Sequence, residues 1–273
     1  MQNLPFILTT LFMVSAVIGF IANIVGLGGG ILLVPFFIFY MHLSPVESSG
    51  LSLFTIIVSS VGGTIKHLQE KTVNKKLFAV LAGFMPPGVI IGSVASNYVN
   101  VRGFKILFAF IVTIIGFLSL YFTNKQTKKT EIIVTGALRN YKGSSNELLL
   151  PHPKITAAMS LIAGFFSGFA GIGIGMISGT FLTSVERIPP RIAFATILSA
   201  MILTSSIGAI IHFSYIKISR DILLYCIFLG SGAITGSQLG AITSRILNTR
   251  TLRLYQGWII TIFGLLMVLM SII

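Results

Sequence analysis

Long apolar segments separated by short polar ones make up almost the whole of this sequence. The apolar segments of the first half cover residues 6–25, 31–41, 46–65, 77–98 and 104–122, and those of the second half cover 155–170, 175–185, 191–213, 222–243 and 252–272. Most of them are close to the length of about 20 residues that an α-helix needs to cross a bilayer. The short alternating segments typical of membrane barrels do not occur. The pattern therefore predicts an all-α polytopic membrane protein.

The composition supports a multi-pass location in the cell membrane. Hydrophobic residues make up 54% of the 273 residues and charged residues only 9%, whereas soluble domains carry about 25% charged residues. The first lysine is Lys66, so the N-terminus lacks the basic region of a cleaved signal peptide. The net charge of +13 comes from lysines and arginines in the polar segments, where they favour contact with lipid headgroups rather than with nucleic acid.

The first apolar stretch is too long for one straight helix, and glycines interrupt it. Residues 6–41 would form a helix of about 54 Å at ~1.5 Å per residue, but the hydrocarbon core is about 30 Å thick. Gly26, Gly28, Gly29 and Gly30 mark the place where the helix breaks. Lipid cannot satisfy the backbone groups that such a break exposes, so the break has to be buried in protein or line a cavity.

The break returns in the second half of the chain, as part of an internal repeat. One offset of 145 residues relates the pairs Gly26/Gly171, Gly28/Gly173, Gly30/Gly175, Pro45/Pro190, Ser60/Ser205, Gly63/Gly208 and His67/His212. We therefore divide the chain into a first membrane repeat at 1–123, a cytoplasmic linker at 124–154 and a second membrane repeat at 155–273. Each repeat is predicted to begin with a glycine-broken or re-entrant helix. Within the linker, residues 131–135 and 147–150 could form a small hairpin, and a plain cytoplasmic connection is preferred to a regulatory module.

The basic residues indicate how the two repeats are oriented. If each broken helix crosses the membrane once, the repeats are parallel; if its halves form a hairpin or cross separately, the repeats are inverted. The inverted arrangement places 15 of the 19 lysines and arginines on one side and only 4 on the other. Because positive charge accumulates on the cytoplasmic side, we predict inverted repeats with both termini outside and the linker inside.

The paired breaks resemble those of a known family of membrane permeases. The segment 26–30 with Pro35, the segment 171–175, and the helix ends at 60–67 and 205–212 are similar to those of the TauE/SafE sulfite-exporter family. The resemblance covers nearly the whole chain apart from the linker. It implies the transport of a small sulfur-containing anion, such as sulfite or an organosulfonate. The second repeat departs from the pattern, because Thr180 stands where a counterpart of Pro35 would be expected.

A bound anion also agrees with the distribution of charge. All six acidic residues lie in loops or at predicted helix ends, so a cation site in the membrane interior is not expected. A half-helix beginning at Gly28 or Gly173 would offer free N–H groups and the positive end of its dipole, and glycine lets a ligand approach the backbone closely. The predicted substrate-binding residues are Asn23, Gly26, Gly28, Gly29, Gly30, Ser52, Ser60, Ser167, Gly171, Gly173, Gly175 and Ser205.

Each of these residues also has a purely structural interpretation. The glycines would then serve helix packing, as we expect for Gly88 with Gly92 and for Gly232 with Gly236. Each serine would bond the backbone of its own helix. The structural interpretation is preferred for the single serines, and the functional one for the two glycine breaks.

His67 and His212 end equivalent helices. A position at the membrane interface is the preferred interpretation, and proton coupling is the alternative, because the unperturbed pKa of histidine lies near physiological pH. The single cysteine, Cys226, excludes an internal disulfide and a cysteine-based metal site. Neither a metal nor a cofactor is expected.

Three other functions are alternatives to a secondary transporter for a sulfur-containing anion. An anion channel would use the same helix starts, although inverted repeats favour a carrier. A carrier for another small carboxylate or inorganic anion is a second alternative. An intramembrane enzyme is disfavoured because the predicted spans hold no nucleophile beside a base. A homo-oligomer is left open.

Overall fold

The computed structural model of the protein describes residues 4–25, 28–69, 72–125, 152–186, 188–243 and 249–272, and every regular element within these ranges is a helix. The first repeat contains α1 (Leu4–Val25), α2 (Gly30–Pro35) with a π-helical continuation (Phe36–Tyr40), α3 (Pro45–Gln69), α4 (Lys75–Ser96) and α5 (Val101–Lys125). The second contains α6 (Pro153–Ala170), α7 (Gly175–Ser184), α8 (Pro190–Ser214), α9 (Arg220–Thr243) and α10 (Thr249–Ile272). The hairpin considered for the linker lies outside the described residues.

Seven of the helices in the described ranges are long and apolar enough to cross a membrane. They are α1, α3, α4, α5, α6, α8 and α9. The predicted class, a multi-pass helical membrane protein, is therefore confirmed. Helices α3 and α8 are the central ones, because 67% and 56% of their candidate spans are buried inside the protein, against 22% for α1.

Both glycine breaks contain residues in the left-handed region of the backbone map. Gly28 and Gly29 have φ angles of 84° and 76°, and Gly171 and Gly173 have φ angles of 65° and 74°. Residues with a side chain adopt this region only with strain, whereas glycine adopts it freely. Gly171 ends α6 as a left-handed cap. The sequence therefore breaks these helices through backbone conformation. Gly26 lies outside the described residues.

In the second repeat, the broken element is a re-entrant hairpin. The carboxylate of Glu186, just beyond the end of α7, accepts a hydrogen bond from the Thr156 hydroxyl at 3.0 Å and from the His152 N–H at 3.3 Å. The end of α7 therefore lies beside the start of α6, and the two helices run in opposite directions. The 10 residues of α7 span about 15 Å at ~1.5 Å per residue, which is half of the hydrocarbon core. The hairpin alternative left open by the sequence is the one found here.

Glycines let helices of different repeats pack backbone against backbone. A methyl group at Gly88 or Gly92 of α4 would overlap the carbonyl oxygens of Leu161 or Phe165 in α6. In the same way, a methyl group at Gly236 of α9 would overlap the Ala16 carbonyl oxygen of α1. The packing role predicted for these glycines and for Gly232 is therefore confirmed, and it follows the small-residue rule of membrane helices.

Helices that occupy equivalent positions in the two repeats pack against each other in opposite directions. Near the start of α3, Gly50 lies beside His212 near the end of α8, and Gly63 near the end of α3 lies beside Leu198 near the start of α8. Helices α5 and α10 also pack antiparallel to each other, because Gly116 lies beside Thr261 and Gly257 lies beside Leu120. Such antiparallel packing of equivalent helices is the relation that inverted repeats would show.

Candidate functional site

The two glycine breaks meet at the crossing of α3 and α8. A methyl group built on Gly30 would lie 2.7 Å from the Ile172 Cα, and one built on Gly173 would lie 3.8 Å from the Gly28 Cα. Gly28, Gly30, Gly171 and Gly173 are all buried. The sequence expectation that Gly28 and Gly173 lie close together agrees with this geometry.

The half-helices begin two residues later than the sequence predicted. Helix α2 begins at Gly30 and α7 at Gly175, so Gly28 and Gly173 precede them instead of opening them. Their positive φ angles are incompatible with the right-handed helix. Neither α2 nor α7 has a side chain that caps its first N–H groups. These groups lack partners within the helix and carry the positive end of the dipole.

Serine and asparagine side chains fasten the breaks to the central helices. The Ser52 hydroxyl of α3 donates a hydrogen bond to the Gly171 carbonyl at 2.7 Å. Asn23 of α1 donates to the Gly19 carbonyl of its own helix at 3.3 Å and to the Ser59 hydroxyl of α3 at 3.5 Å. The preferred interpretation for Ser52, a bond to its own helix, was wrong, because the break of the other repeat presents a carbonyl beside α3.

Three of the predicted substrate-binding serines are fully buried without a hydrogen-bond partner. Ser60, Ser167 and Ser205 are each 0% exposed, and their hydroxyls have no partner among the described residues. Buried hydroxyls are normally satisfied, often by the backbone one turn earlier, as Thr204 is by the Ala200 carbonyl at 3.0 Å. These three hydroxyls are therefore available to a ligand, and Ser60 and Ser205 are repeat equivalents.

The sequence interpretation missed further hydroxyls of the same kind. Within the described ranges, the other buried hydroxyls that lack a hydrogen-bond partner are those of Ser48, Ser49, Thr64, Ser93 and Ser178. Ser49 lies directly against the second break, because a methyl group at Gly171 would come within 2.6 Å of its Cα. The signal that would have found it is the spacing of serines in α3 at intervals of three to four residues, which places them on one face of a helix.

His212 is buried between helices, and the interfacial interpretation was wrong for it. Its side chain is 0% exposed, and its Nε2 lies 2.8 Å from the Gly168 carbonyl oxygen. Because a carbonyl only accepts, Nε2 carries the proton, and Nδ1 is left without a partner. Gly50 of α3 makes room for this side chain, since a methyl group at Gly50 would lie 3.2 Å from the His212 Cβ. The side chain of His67 lies outside the described set.

Replacing His212 with alanine is expected to destabilise the protein. The Gly168 carbonyl would lose its partner, which costs about 1–3 kcal/mol for a buried group, and a cavity would add to this loss. His212→Gln should recover part of the stability by restoring a donor. The measurement is the free energy of unfolding in detergent, with Tyr215→Ala, an exposed position three residues later, as the control. Equal stability of His212→Ala and Tyr215→Ala would contradict the structural role.

No acidic side chain takes part in any contact of the breaks given above. The described acids Glu47 and Asp221 lie in the first turns of α3 and α9, and Glu186 is held at the end of the α6–α7 hairpin. This agrees with the expected placement of acids at loops and helix ends. The charge available to a ligand at the breaks is therefore the partial positive charge of the backbone N–H groups, which favours an anion.

Comparison with known proteins agrees with these features. The family described as sulfite exporter TauE/SafE matches residues 11–267. The probable membrane transporter protein YunE of Bacillus subtilis is 27% identical over 93% of this chain and 96% of its own length. Probable membrane transporter proteins of Methanocaldococcus jannaschii and Xylella fastidiosa (Temecula1) are 24% and 22% identical, over 96% and 94% of this chain and 96% and 91% of their own lengths. No solved structure matches the chain significantly.

Proposed function

We propose that this chain, which belongs to the sulfite exporter TauE/SafE family, is a secondary transporter for a small sulfur-containing anion such as sulfite or an organosulfonate. The family and its relatives point to a membrane transporter. The relatives' names mention no substrate. The substrate class proposed here therefore rests on the family description together with the chemistry of the breaks.

The observation that carries the proposal is the meeting of the two breaks beside unpartnered donors. Two uncapped helix starts converge there, and the buried hydroxyls of Ser60 and Ser205 belong to the two helices that cross at the same place. Sulfite and sulfonates carry three oxygens on one sulfur, and each oxygen accepts hydrogen bonds from N–H or O–H donors. A neutral ring of donors around a helix start is how proteins commonly hold such anions.

The arrangement favours a carrier over a channel. We infer that the repeats are inverted, because the equivalent helices α3 and α8 pack antiparallel across the breaks. In inverted-repeat carriers, the substrate lies near the midplane at the interface of the repeats, held by discontinuous helices, and the two sides open in alternation. The breaks are buried and lie close together, as such a midplane site requires.

The inferred orientation predicts which segments are reached from outside the cell. Tags at Gln2 and at Ile273 are expected to be labelled on intact cells, and a tag at residue 142 in the linker only after the membrane is opened. The reason is the concentration of basic residues on the linker side. A membrane-impermeant antibody provides the measurement. Labelling of the linker tag on intact cells would contradict the inverted arrangement.

Transport by the purified protein tests the proposed function. Vesicles containing the protein and a high internal concentration of unlabelled sulfite are expected to accumulate radiolabelled external sulfite transiently, which is counterflow. Competition by acetate or by nitrate, stronger than by methanesulfonate, would favour the alternative substrate classes. Ohmic single-channel currents without counterflow would identify a channel. Failure of every sulfur anion in the assay, with a folded protein, would overturn the proposal.

A further inference from the structure

Two fully buried side chains lie against the glycine breaks, and they occupy equivalent positions in the two repeats. Ile56 of α3 and Met201 of α8 are both 0% exposed and are related by the same offset of 145 residues as the breaks themselves. Their contacts differ. The Ile56 Cδ1 approaches the second break, 3.1 Å from the position of a methyl group at Gly173.

Met201 reaches both breaks. A methyl group at Gly28 would overlap the Met201 Cε, and one at Gly173 would lie 3.0 Å from the same atom. The terminal methyl of Met201 therefore fills the space beside both left-handed glycines. That space is where an anion held by the two helix starts would have to lie.

The polar donors stand one turn away from these apolar side chains. Ser205 follows Met201 by four residues and Ser60 follows Ile56 by four, which places each pair on one face of its helix. Both hydroxyls are buried and unpartnered. The apolar side chains of Met201 and Ile56 exclude water and anions from these donors. This exclusion explains why the hydroxyls and the helix starts have no hydrogen-bond partners.

The two side chains also differ in their freedom to move. Methionine is unbranched, with three rotatable bonds and a soft thioether that repacks readily. Isoleucine is branched at Cβ and is nearly fixed at χ1 in a helix. A rotation of the Met201 side chain would empty the space beside Gly28 and Gly173 without moving the backbone, whereas the Ile56 side chain would stay in place.

From this geometry we propose that Met201 is a movable plug that fills the anion site in the empty protein and withdraws when the anion binds. The length of the side chain at 201 then sets the largest substituent on sulfur that the site accepts. This inference rests on the proposed function of the breaks as an anion site, but it is tested by a measurement that does not need the substrate.

The test is the access of a charged reagent to Ser60. In a variant whose single cysteine is removed by Cys226→Ala, Ser60→Cys is treated with an anionic methanethiosulfonate reagent. Adding Met201→Ala is expected to raise the labelling rate by about tenfold or more, because the cysteine is then exposed in a larger fraction of the molecules. Met201→Leu should leave the labelling slow, because leucine still fills the space. Met85→Ala, a buried methionine of α4, is the control for a general loss of packing.

The outcomes separate the plug from the transport function. Equal labelling rates in Met201→Ala and in the parent, or an equal increase in Met85→Ala, would overturn the plug. In vesicles, Met201→Ala is expected to raise the uptake of propanesulfonate relative to sulfite, and an unchanged ratio would likewise contradict it. Fast labelling of Met201→Ala in a protein that moves no sulfur anion supports the plug and overturns the proposed substrate class.

Discussion

Gly173→Ala and Gly28→Ala are each expected to lower the affinity for the anion about ten- to a hundredfold. Both glycines have φ angles in the left-handed region, 74° and 84°, which alanine adopts only with strain. At Gly173, the added methyl would also press against Met201 and Ile56, at 3.0 and 3.1 Å. Losing one charge-assisted hydrogen bond costs about 1.5–3 kcal/mol, which corresponds to that loss of affinity at ~1.4 kcal/mol per decade.

The measurement is anion binding to the purified protein, with the melting temperature followed in parallel. Gly83→Ala is the matched control, because nothing lies within 4 Å of a methyl group at this position of α4. It should bind the anion as the parent does and melt at the same temperature or higher, since alanine is the better helix former. If folded Gly173→Ala and Gly28→Ala bind as tightly as the parent, the anion site lies elsewhere, and the breaks are packing features only.

Gly236→Ala is expected to cause the largest loss of stability among the packing glycines. Its methyl group would overlap the Ala16 carbonyl oxygen in α1, and a backbone atom cannot turn aside as a flexible side chain does. Forcing extra volume into a packed contact costs about 1–3 kcal/mol and occasionally more. Because α1 and α9 belong to different repeats, the loss falls on the contact that joins them.

A second glycine of the same helix provides the control for this loss. At Gly230, the nearest atom to an added methyl is Cε1 of Phe54 at 3.6 Å, an ordinary contact. Gly230→Ala should therefore fold as the parent does. The measurement is the free energy of unfolding of both variants in the same detergent. Equal stability of Gly236→Ala and Gly230→Ala would contradict the close packing of α1 against α9.

The repeat made the centre of the molecule predictable from sequence. A constant offset pairs Gly28 with Gly173, and the structure places these two glycines close together at the crossing of α3 and α8. The class of the protein followed from the length of its apolar segments and its low content of charged residues, and the small-residue motifs indicated close helix packing at Gly88 and Gly92 of α4 and at Gly232 and Gly236 of α9. These features depend on pattern along the chain, which a sequence displays directly.

Features that depend on contacts between the repeats were not predictable in the same way. The burial of His212 depends on Gly50 of α3, whose missing side chain leaves room beside the His212 Cβ, and on the Gly168 carbonyl of α6, which bonds its ring. The bond of Ser52 to the Gly171 carbonyl likewise requires the other repeat in place. The starts of the half-helices were misplaced by two residues because a run of glycines does not reveal which of them adopt positive φ. The hairpin of α6 and α7 became clear only from the contact of Glu186 with Thr156.

The central claim is that an anion is held between the two glycine breaks. Selenite is a heavier analogue of sulfite, and its anomalous scattering locates it directly in crystals of the protein grown with the anion. The account predicts one strong peak beside Gly28 and Gly173, in the space that the Met201 methyl occupies here, within hydrogen-bonding distance of the N–H groups that begin α2 and α7, with the Met201 side chain turned away. A peak at the basic loops with the space between the breaks still filled by Met201 would contradict it.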